Sequence, residues 1–182
     1  LDVRLQHIVR RELQKSISTF NAIGGASMIM DVENGDVLAA VSLPDFDPHS
    51  PSSANDDKLF NRLTLGVYEM GSTFKIFSTA ALLETQHVGM AQTFDTTKPL
   101  HRGRFTISDY HPEKFRMTVP EVFMHSSNIG AALMGEMMGT ATLQKFYGDL
   151  GLLHQVSIEI DEVGKPMLPR PWGELSTLTA SF

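Results

Sequence analysis

The 182-residue sequence contains no cysteine. That absence excludes disulfides, thiolate nucleophiles and zinc–thiolate sites, and it leaves the redox compartment undecided. No apolar run approaches the roughly 20 residues of a membrane span, and no secretory leader is visible. Basic charge is also scarce, because the net charge is -6 and no Lys/Arg cluster is longer than Arg10-Arg11. Nucleic acid is therefore not an expected partner.

The composition is that of a folded domain. Apolar residues make up 42% of the chain and charged residues 20%, so it can bury one sizeable core and is predicted to form one domain or most of one. The first residue is Leu1, where an initiating Met would be expected. We therefore expect the sequence to be excised from a longer protein, whose leader and membrane anchor lie outside it.

An amphipathic helix is predicted at the start of the chain, ending before Gly24-Gly25. Segments 26–32 and 36–43 then flank Asn34-Gly35, the pair that best fits a two-residue type I′ hairpin turn. Both faces of this hairpin carry apolar side chains. We therefore expect the hairpin to be covered on both sides within a larger sheet.

The remaining segments alternate between loops and helical periodicity. In chain order they are an exposed loop over 44–57, a helix from Ser72 to about Glu84, loops with short strands over 92–117, a helix beginning at Thr118, an apolar run over 129–138, a helix over 140–152 and an irregular segment over 166–172.

Ser72-Thr73-Phe74-Lys75 follows Gly71 at the head of an apolar-periodic stretch. A helix beginning there places the Ser72 and Lys75 side chains one turn apart, at the electropositive helix end. A lysine with a pKa of about 10.4 is neutral in about one molecule in 2,500 at pH 7, so a useful base needs its pKa lowered by about 3 units. We therefore expect Lys75 to lie in a partly desolvated cleft, where it could activate Ser72 without a histidine.

A bare Ser-x-x-Lys pattern is weak evidence, because a chain of this length holds about one match by chance. Ser126-Ser127-Asn128 adds a second hydroxyl and an amide, which can relay a proton and hold a substrate amide during acyl transfer. Ser53-Ala54-Asn55 also fits Ser-x-Asn, but it lies in a polar loop without rigid support. We therefore choose Ser126 and Asn128 as the partners of Ser72 and Lys75.

Other chemistry-bearing residues are interpreted as structural. The seven histidines show no paired metal spacing, so we expect neither a metal nor another cofactor. His125 adjoins Ser126, but neighbours on a helix point apart, so we expect a structural role for it. Core packing is predicted for four methionines, Met124, Met134, Met137 and Met138.

Several segments of the sequence follow one another in the order in which similar motifs occur in one enzyme family. They are Leu1 to Gln6, Ser42 to Pro48, Phe60-Asn61-Arg62, Gly66 to Lys75, and His125 to Asn128. Together they resemble class B penicillin-binding proteins, the monofunctional peptidoglycan D,D-transpeptidases, and in particular the cell-division type. The resemblance covers nearly the whole chain, and several ordered motifs are far more specific than any one of them.

The resemblance implies an α+β fold of the β-lactamase/transpeptidase type, with an antiparallel sheet flanked by helices. Residues 1–182 would be the N-terminal part of the transpeptidase domain. Met70 departs from the pattern, since many relatives have proline there. The third motif of the family, Lys-Thr-Gly, is absent before Phe182. The C-terminal strands are therefore expected to be missing, which leaves open whether the chain alone is active.

The resemblance also implies roles for individual residues. Ser72 would attack the carbonyl of a D-alanyl-D-alanine stem peptide, and its backbone N–H would provide one oxyanion donor. Lys75 would accept the Ser72 proton, although the identity of the base is disputed in this superfamily. Ser126 would pass a proton to the leaving amine, and Asn128 would orient Lys75 and the substrate amide. Penicillins and other β-lactams would trap Ser72 covalently.

The implied setting is a periplasmic domain of an inner-membrane-anchored protein, with membrane proteins of the division complex as partners. Its substrates would be peptidoglycan stem peptides. The hairpin of residues 26–43 is also predicted to keep an unpaired edge, which in the isolated chain would lead to self-association or to disorder.

Other functions remain open at this point. The domain could be a catalytically silent penicillin sensor or a scaffold of the division complex, or it could be a β-lactamase. A nucleotide-binding loop is less favoured. Gly66 to Thr73 differs from the phosphate-binding pattern at its essential lysine, whose place Ser72 takes, and no clear strand leads into it.

Overall fold

A computed structural model describes residues 1–51, 55–86 and 88–182. The chain divides into two compact units. The first comprises Leu1–Tyr68 and Gln155–Lys165, and the second comprises Glu69–His154 and Pro166–Phe182. Each unit has apolar core residues of its own.

Helix α1 of the first unit, Val3–Phe20, confirms the predicted amphipathic helix. The Asp2 carboxylate caps it by accepting hydrogen bonds from the backbone N–H groups of Arg4 and Leu5, at 2.8 and 3.2 Å. The helix ends at Asn21 in the left-handed conformation. Its apolar stripe packs on the following hairpin, in a small core of Val9, Ala39, Val41 and Leu43 joined by Leu5, Leu13, Ile17 and Ile29.

Strands β1, Gly25–Met30, and β2, Val37–Leu43, form the predicted antiparallel hairpin. The predicted two-residue turn is wrong, because residues 31–36 form a wider connection. The Asp31 and Asn34 side chains accept hydrogen bonds from the backbone N–H groups of Glu33 and Asp36, at 2.9 and 2.8 Å. Such local bonds compete with the strand ladder and end it earlier.

One face of the hairpin is covered by α1, as the buried alternate residues of β2 show. Within the described parts of the chain, neither β1 nor β2 pairs with a third strand. The larger sheet expected from the sequence stays a prediction. The described residues of the loop after β2 are largely exposed, as predicted, and they are followed by the short helix α2, Asp56–Leu59.

The second unit is mainly helical. Its helices are α3, Phe74–Thr85; α4, Val119–Met124; α5, Asn128–Met138; α6, Thr140–Asp149; and α7, Glu174–Thr179. Helix α5 lies in the middle and contacts α3, α6 and α7. Gly135 of α5 allows the close approach of the segment after α7, since a Cβ added there would clash with the Ser181 hydroxyl oxygen. Helix α6 is three residues shorter than predicted, and α7 was not predicted.

Four short strands complete the second unit. They are β3, Thr93–Phe94; β4, Leu100–Arg102; β5, Phe105–Ile107; and β6, Met117–Thr118. Strand β3 pairs antiparallel with β6, and β4 pairs antiparallel with β5, which confirms the prediction of loops with short strands.

The predicted helix start at Thr118 is confirmed as a capping box of α4. The Thr118 side chain accepts a bond from the helix backbone, and the Glu121 carboxylate accepts from the Thr118 backbone N–H at 2.8 Å. The methionine prediction is half right. Met134 and Met138 are buried, whereas Met124 and Met137 are 72% and 42% exposed, so core packing is wrong for these two.

Replacing Gly130 at the start of α5 is expected to destabilise the protein. A Cβ added there would lie 2.5 Å from Cγ2 of buried Val122. Overpacking costs about 1–3 kcal/mol, which exceeds the gain of up to about 1 kcal/mol in helix propensity. Gly130→Ala should therefore lower the unfolding temperature of the full-length protein. Gly89→Ala is the matched control, because nothing lies within 4 Å of its added Cβ. A Gly130→Ala variant as stable as the wild type would contradict this packing.

Candidate active site

Ser72 lies at the start of the helical segment that carries Lys75. Gly71 adopts a φ of 54°, in the left-handed region that favours glycine, and residues Gly71–Thr73 form a single 3₁₀ turn. Helix α3 begins at Phe74, two residues later than the helix start expected at Ser72. The Ser72 side chain is exposed, whereas Lys75 is only 2% exposed. The turn therefore presents a hydroxyl at the surface directly above a buried amine.

The Ser126-Ser127-Asn128 motif lies where α4 ends and α5 begins. Ser127 is the N-cap of α5, and its buried hydroxyl oxygen accepts a hydrogen bond from the Gly130 N–H at 2.9 Å. Ser126 has a φ of 53°, a left-handed conformation that costs a non-glycine residue about 1–2 kcal/mol. Asn128 is the first residue of α5. The break between the two helices thus turns Ser126 and Asn128 to the same side.

The four predicted site residues meet at the Lys75 amine. Its Nζ lies 3.1 Å from the Ser72 Oγ, 2.9 Å from the Ser126 Oγ and 2.7 Å from the Asn128 Oδ1. The backbone oxygen of Ser126 is closer still, at 2.6 Å. The Ser126 hydroxyl donates to the Ser72 Oγ at 3.1 Å. A closed network of two hydroxyls, one amine and one amide therefore joins the two motifs.

This network can accommodate a neutral amine. A neutral amine has two N–H donors and one lone pair, whereas the ammonium form has three donors and no lone pair. Its two shortest contacts, the Ser126 carbonyl and the Asn128 Oδ1, are acceptors and can take both donors. The lone pair can then accept the Ser72 proton, because the hydroxyl of Ser72 is a donor as well as an acceptor. The contacts are those that a general base requires.

The electrostatics of Lys75 favour the same form. Burial disfavours the charged amine and lowers the pKa of Lys75 below its ordinary value, while the Asp109 carboxylate opposes this with a smaller raising effect. The expectation of a desolvated lysine beside Ser72 agrees with this environment.

Two neighbours of the site were missed by sequence reasoning. The Ser108 carbonyl accepts a hydrogen bond from the Asn128 Nδ2 at 3.2 Å, and the Asp109 carboxylate contacts Ser127 and Ile129. Both residues lie after β5, in a segment that the sequence showed only as loops with short strands. Neither residue belongs to a recognisable sequence motif. Contacts across 18 to 20 positions of the chain bring them to the site.

A cavity of about 390 Å³ adjoins this segment, between β5 and α7. Its lining includes Phe105, Ile107, Ser108, Leu175 and Phe182. Ser72 does not line this cavity and is exposed at the surface. Through Ser108, whose carbonyl binds Asn128, the cavity wall is linked to the site.

His125 makes contacts away from the Ser72 hydroxyl. Its Nδ1 lies 3.7 Å from a carboxylate oxygen of Glu113, and its ring packs edge-on against Phe115. These contacts support the structural role expected for it. In the parts of the chain that the structure describes, no group of three or more His, Asp or Glu side chains is arranged to hold a metal ion.

The competing readings of the sequence find little support. Residues 62–65 form turns, so no strand leads into Gly66 as a phosphate-binding loop would require. Ser53 of the competing Ser-x-Asn match lies outside the described residues. Among the helices that the structure describes, none combines the length and apolar character needed to cross a bilayer.

Comparison with known families decides the relationship. The family described as "Penicillin binding protein transpeptidase domain" matches residues 25–182. The chain belongs to this family. The resemblance found in the sequence and the α+β class are thereby confirmed.

Two curated relatives show the extent of the likeness. The chain is 38% identical over 182 residues to the probable peptidoglycan D,D-transpeptidase FtsI of Caulobacter vibrioides, covering 100% of this chain and 31% of that protein. It is 31% identical to the probable peptidoglycan D,D-transpeptidase PenA of Neisseria flavescens, covering 100% of this chain and 46% of that protein. The chain thus spans less than half the length of either relative.

Solved structures agree with the fold. A structure described as a peptidoglycan glycosyltransferase from Burkholderia ambifaria matches 100% of this chain and 54% of its own, with 25% identity and a TM-score of 0.85. The transpeptidase domain of Burkholderia pseudomallei penicillin-binding protein 3 matches 100% of this chain and 51% of its own, with 25% identity and a TM-score of 0.84.

The Lys75 side chain is expected to lose its proton at a lower pH than an ordinary lysine, because burial penalises the charged form. NMR titration of ¹³C-labelled lysines in the full-length protein measures this directly, with the Lys75 signal assigned by its loss in Lys75→Ala. The signal of exposed Lys114 in the same spectra serves as an internal reference. A Lys75 midpoint at or above about 10.4 would contradict the environment described above.

Proposed function

We propose that residues 1–182 are the N-terminal part of a penicillin-binding transpeptidase domain, and that the domain cross-links peptidoglycan through a serine acyl-enzyme. The observation that carries this proposal is the buried Lys75 amine, within hydrogen-bond reach of Ser72, Ser126 and Asn128. Membership of the family and similarity to two proteins named D,D-transpeptidases support it.

Acylation begins at the Ser72 hydroxyl. Its proton passes to the Lys75 lone pair across 3.1 Å while the Ser72 Oγ forms a bond to the carbonyl carbon of the penultimate D-alanine. The carbonyl oxygen takes up negative charge, and the Ser72 backbone N–H is one donor that would stabilise it. Because Ser72 is exposed, a polymeric substrate can reach the attacking oxygen without a change in the buried amine.

The tetrahedral intermediate then breaks its bond to the terminal D-alanine. The leaving amine needs a proton, which Ser126 can supply from its hydroxyl while it is reprotonated by the Lys75 ammonium at 2.9 Å. Asn128 keeps the amine in place through its Oδ1. The products of this step are free D-alanine and an ester between Ser72 and the shortened stem peptide.

Transfer runs the same path in reverse. An amine of a neighbouring stem peptide attacks the ester, loses its proton through Ser126 to Lys75 and displaces the Ser72 oxygen, which is reprotonated. A new amide joins the two stems, and the enzyme returns to its starting state. Penicillins and other β-lactams would enter at the same acylation step, because their strained amide presents a similar carbonyl to Ser72.

The proposal extends to the setting of the protein. Its partners would be peptidoglycan stem peptides, β-lactams and membrane proteins of the division complex, and it would lie in the periplasm as part of an inner-membrane-anchored protein. The cell-division type of the sequence motifs and the relative named FtsI support this setting.

The acyl-enzyme proposal is tested with penicillin and the full-length protein. The wild type should gain the mass of one penicillin, with the adduct mapped to Ser72, and Ser72→Ala should gain none, because the attacking oxygen is removed. Ser18→Ala is the control, since this exposed serine lies on α1 and its hydroxyl donates to the Gln14 carbonyl of the same helix. An adduct that persists in Ser72→Ala would overturn the assignment of the nucleophile.

A second assay separates the alternatives. Release of D-alanine from a D-Ala-D-Ala peptide, with formation of a cross-linked product, is expected of a transpeptidase. A stable penicillin adduct without release of D-alanine would instead identify a silent sensor or scaffold. Fast hydrolysis of penicillin in place of a stable adduct would identify a β-lactamase.

Self-association of the isolated chain is also part of the proposal. The β1–β2 hairpin supports it, because among the described residues neither strand pairs with a third one, and open strand edges template pairing with another chain. Residues 1–182 alone should elute from a sizing column as a species larger than the 20.1 kDa monomer. Elution as a well-ordered monomer would refute association through this edge.

A further inference from the structure

Asp109 connects a loop of the second unit to the Ser126–Asn128 motif. Its Oδ2 accepts a hydrogen bond from the Ser127 hydroxyl at 2.7 Å, and its Oδ1 accepts from the Ile129 backbone N–H at 2.9 Å. The carbonyl of the preceding residue, Ser108, accepts from the Asn128 side chain at 3.2 Å. Two adjacent residues of the loop therefore contact three consecutive residues of the motif and its helix.

These contacts act where the motif backbone is under strain. Ser126 has a φ of 53°, and in this conformation both its carbonyl and its hydroxyl face the Lys75 amine. Ser127, the next residue, is 1% exposed, and its hydroxyl donates a hydrogen bond to the Asp109 carboxylate. A carboxylate that accepts from both Ser127 and Ile129 fixes the backbone on the C-terminal side of Ser126.

We propose that Asp109 is a positioning residue, which holds Ser126 and Asn128 against Lys75 and thereby keeps Ser72 reactive. The inference rests on the proposed function, because it assigns a role in the same acylation step. Asp109 does not contact Ser72 and acts on it through Ser127, Ser126 and the amine.

The charge of Asp109 adds an effect that a neutral brace would lack. The groups that face the Lys75 amine directly, from the 3₁₀ turn and from the motif, are the neutral Ser72, Ser126 and Asn128. Among the described residues, Asp109 is the charged group that acts on this amine, and it raises the pKa of Lys75 against the larger lowering by burial. Two titratable residues near the motif, His125 and Glu113, contact each other.

A purely structural role would look different. A carboxylate near the N-terminus of α5 also stabilises that helix, so loss of Asp109 would lower stability in either case. Only a positioning role predicts that acylation slows in protein that is still folded. Only the charge effect predicts a shift in the pH dependence of acylation.

Asp109→Asn and Asp109→Ala in the full-length protein separate these effects. Asparagine keeps the shape, can accept from Ile129 and can donate to the Ser127 oxygen, but it carries no charge. Its acylation by penicillin should show an acid limb at lower pH than the wild type, because removal of the negative charge lowers the pKa of Lys75 further. Alanine removes the hydrogen bonds as well and should reduce the acylation rate about 100-fold, as expected when reacting groups are displaced by about 1 Å.

Asp95→Asn is the matched control. The Asp95 carboxylate also accepts from a hydroxyl and a backbone amide, those of Thr97, at 2.6 and 3.2 Å, but it makes no contact with the site. Its acylation rate and pH profile should remain those of the wild type. Coupling is tested by combining Asp109→Ala with Ser127→Ala. Their joint effect should be smaller than the product of the single effects, because each single change already removes the hydrogen bond that the two side chains share.

The outcomes are distinguishable. The inference is overturned if the wild type is acylated and both Asp109 variants react at its rate, or if their losses only follow the unfolded fraction with no shift in pH dependence. If the wild type is not acylated at all, the proposed function fails instead. In that case NMR titration of Lys75 still tests Asp109, since an unchanged Lys75 midpoint in Asp109→Asn would overturn its effect on the amine.

Discussion

Removal of one amine from water is the interaction on which the rest of the site depends. Lys75 is 2% exposed, and its four oxygen contacts come from two segments more than 50 residues apart in sequence. Burying an ammonium without close partners would be costly, so the network permits the burial, and the burial itself lowers the affinity of the nitrogen for its proton. The same contacts place that nitrogen beside the Ser72 oxygen. Desolvation and geometry therefore have a common origin.

The helices around the site explain how this arrangement is held. Helix α3 carries Lys75 and packs against α5. The Ser78 hydroxyl, one turn after Lys75, donates to the Ser181 carbonyl at 2.7 Å and so ties α3 to the end of α7. Helix α3 is thus held by its bond to the segment after α7. The Ser126–Asn128 motif is held by the Ser127 cap and by Asp109.

The parts of this picture that depend on local order were accessible from the sequence. Apolar spacing predicted α1, the helix start at Thr118 was predicted correctly, and the two motifs supplied the residues that the structure brings together. Long-range contacts were not accessible, and Asp109 shows why, since nothing in its neighbourhood marks a residue that binds Ser127 across 18 positions. The hairpin turn failed for another reason. The Asp31 and Asn34 side chains bind nearby backbone amides, and this competes with the turn that Asn34-Gly35 alone would favour.

The contrast between two exposed serines and a buried lysine has a consequence for which atom an incoming reagent meets first. Ser72 and Ser126 are exposed, whereas the nitrogen between them is buried. Any electrophile that arrives is met by oxygen, and the amine is shielded from reagents that would alkylate it. The serine–lysine pair therefore meets its surroundings with oxygen atoms, while its nitrogen lies beneath them.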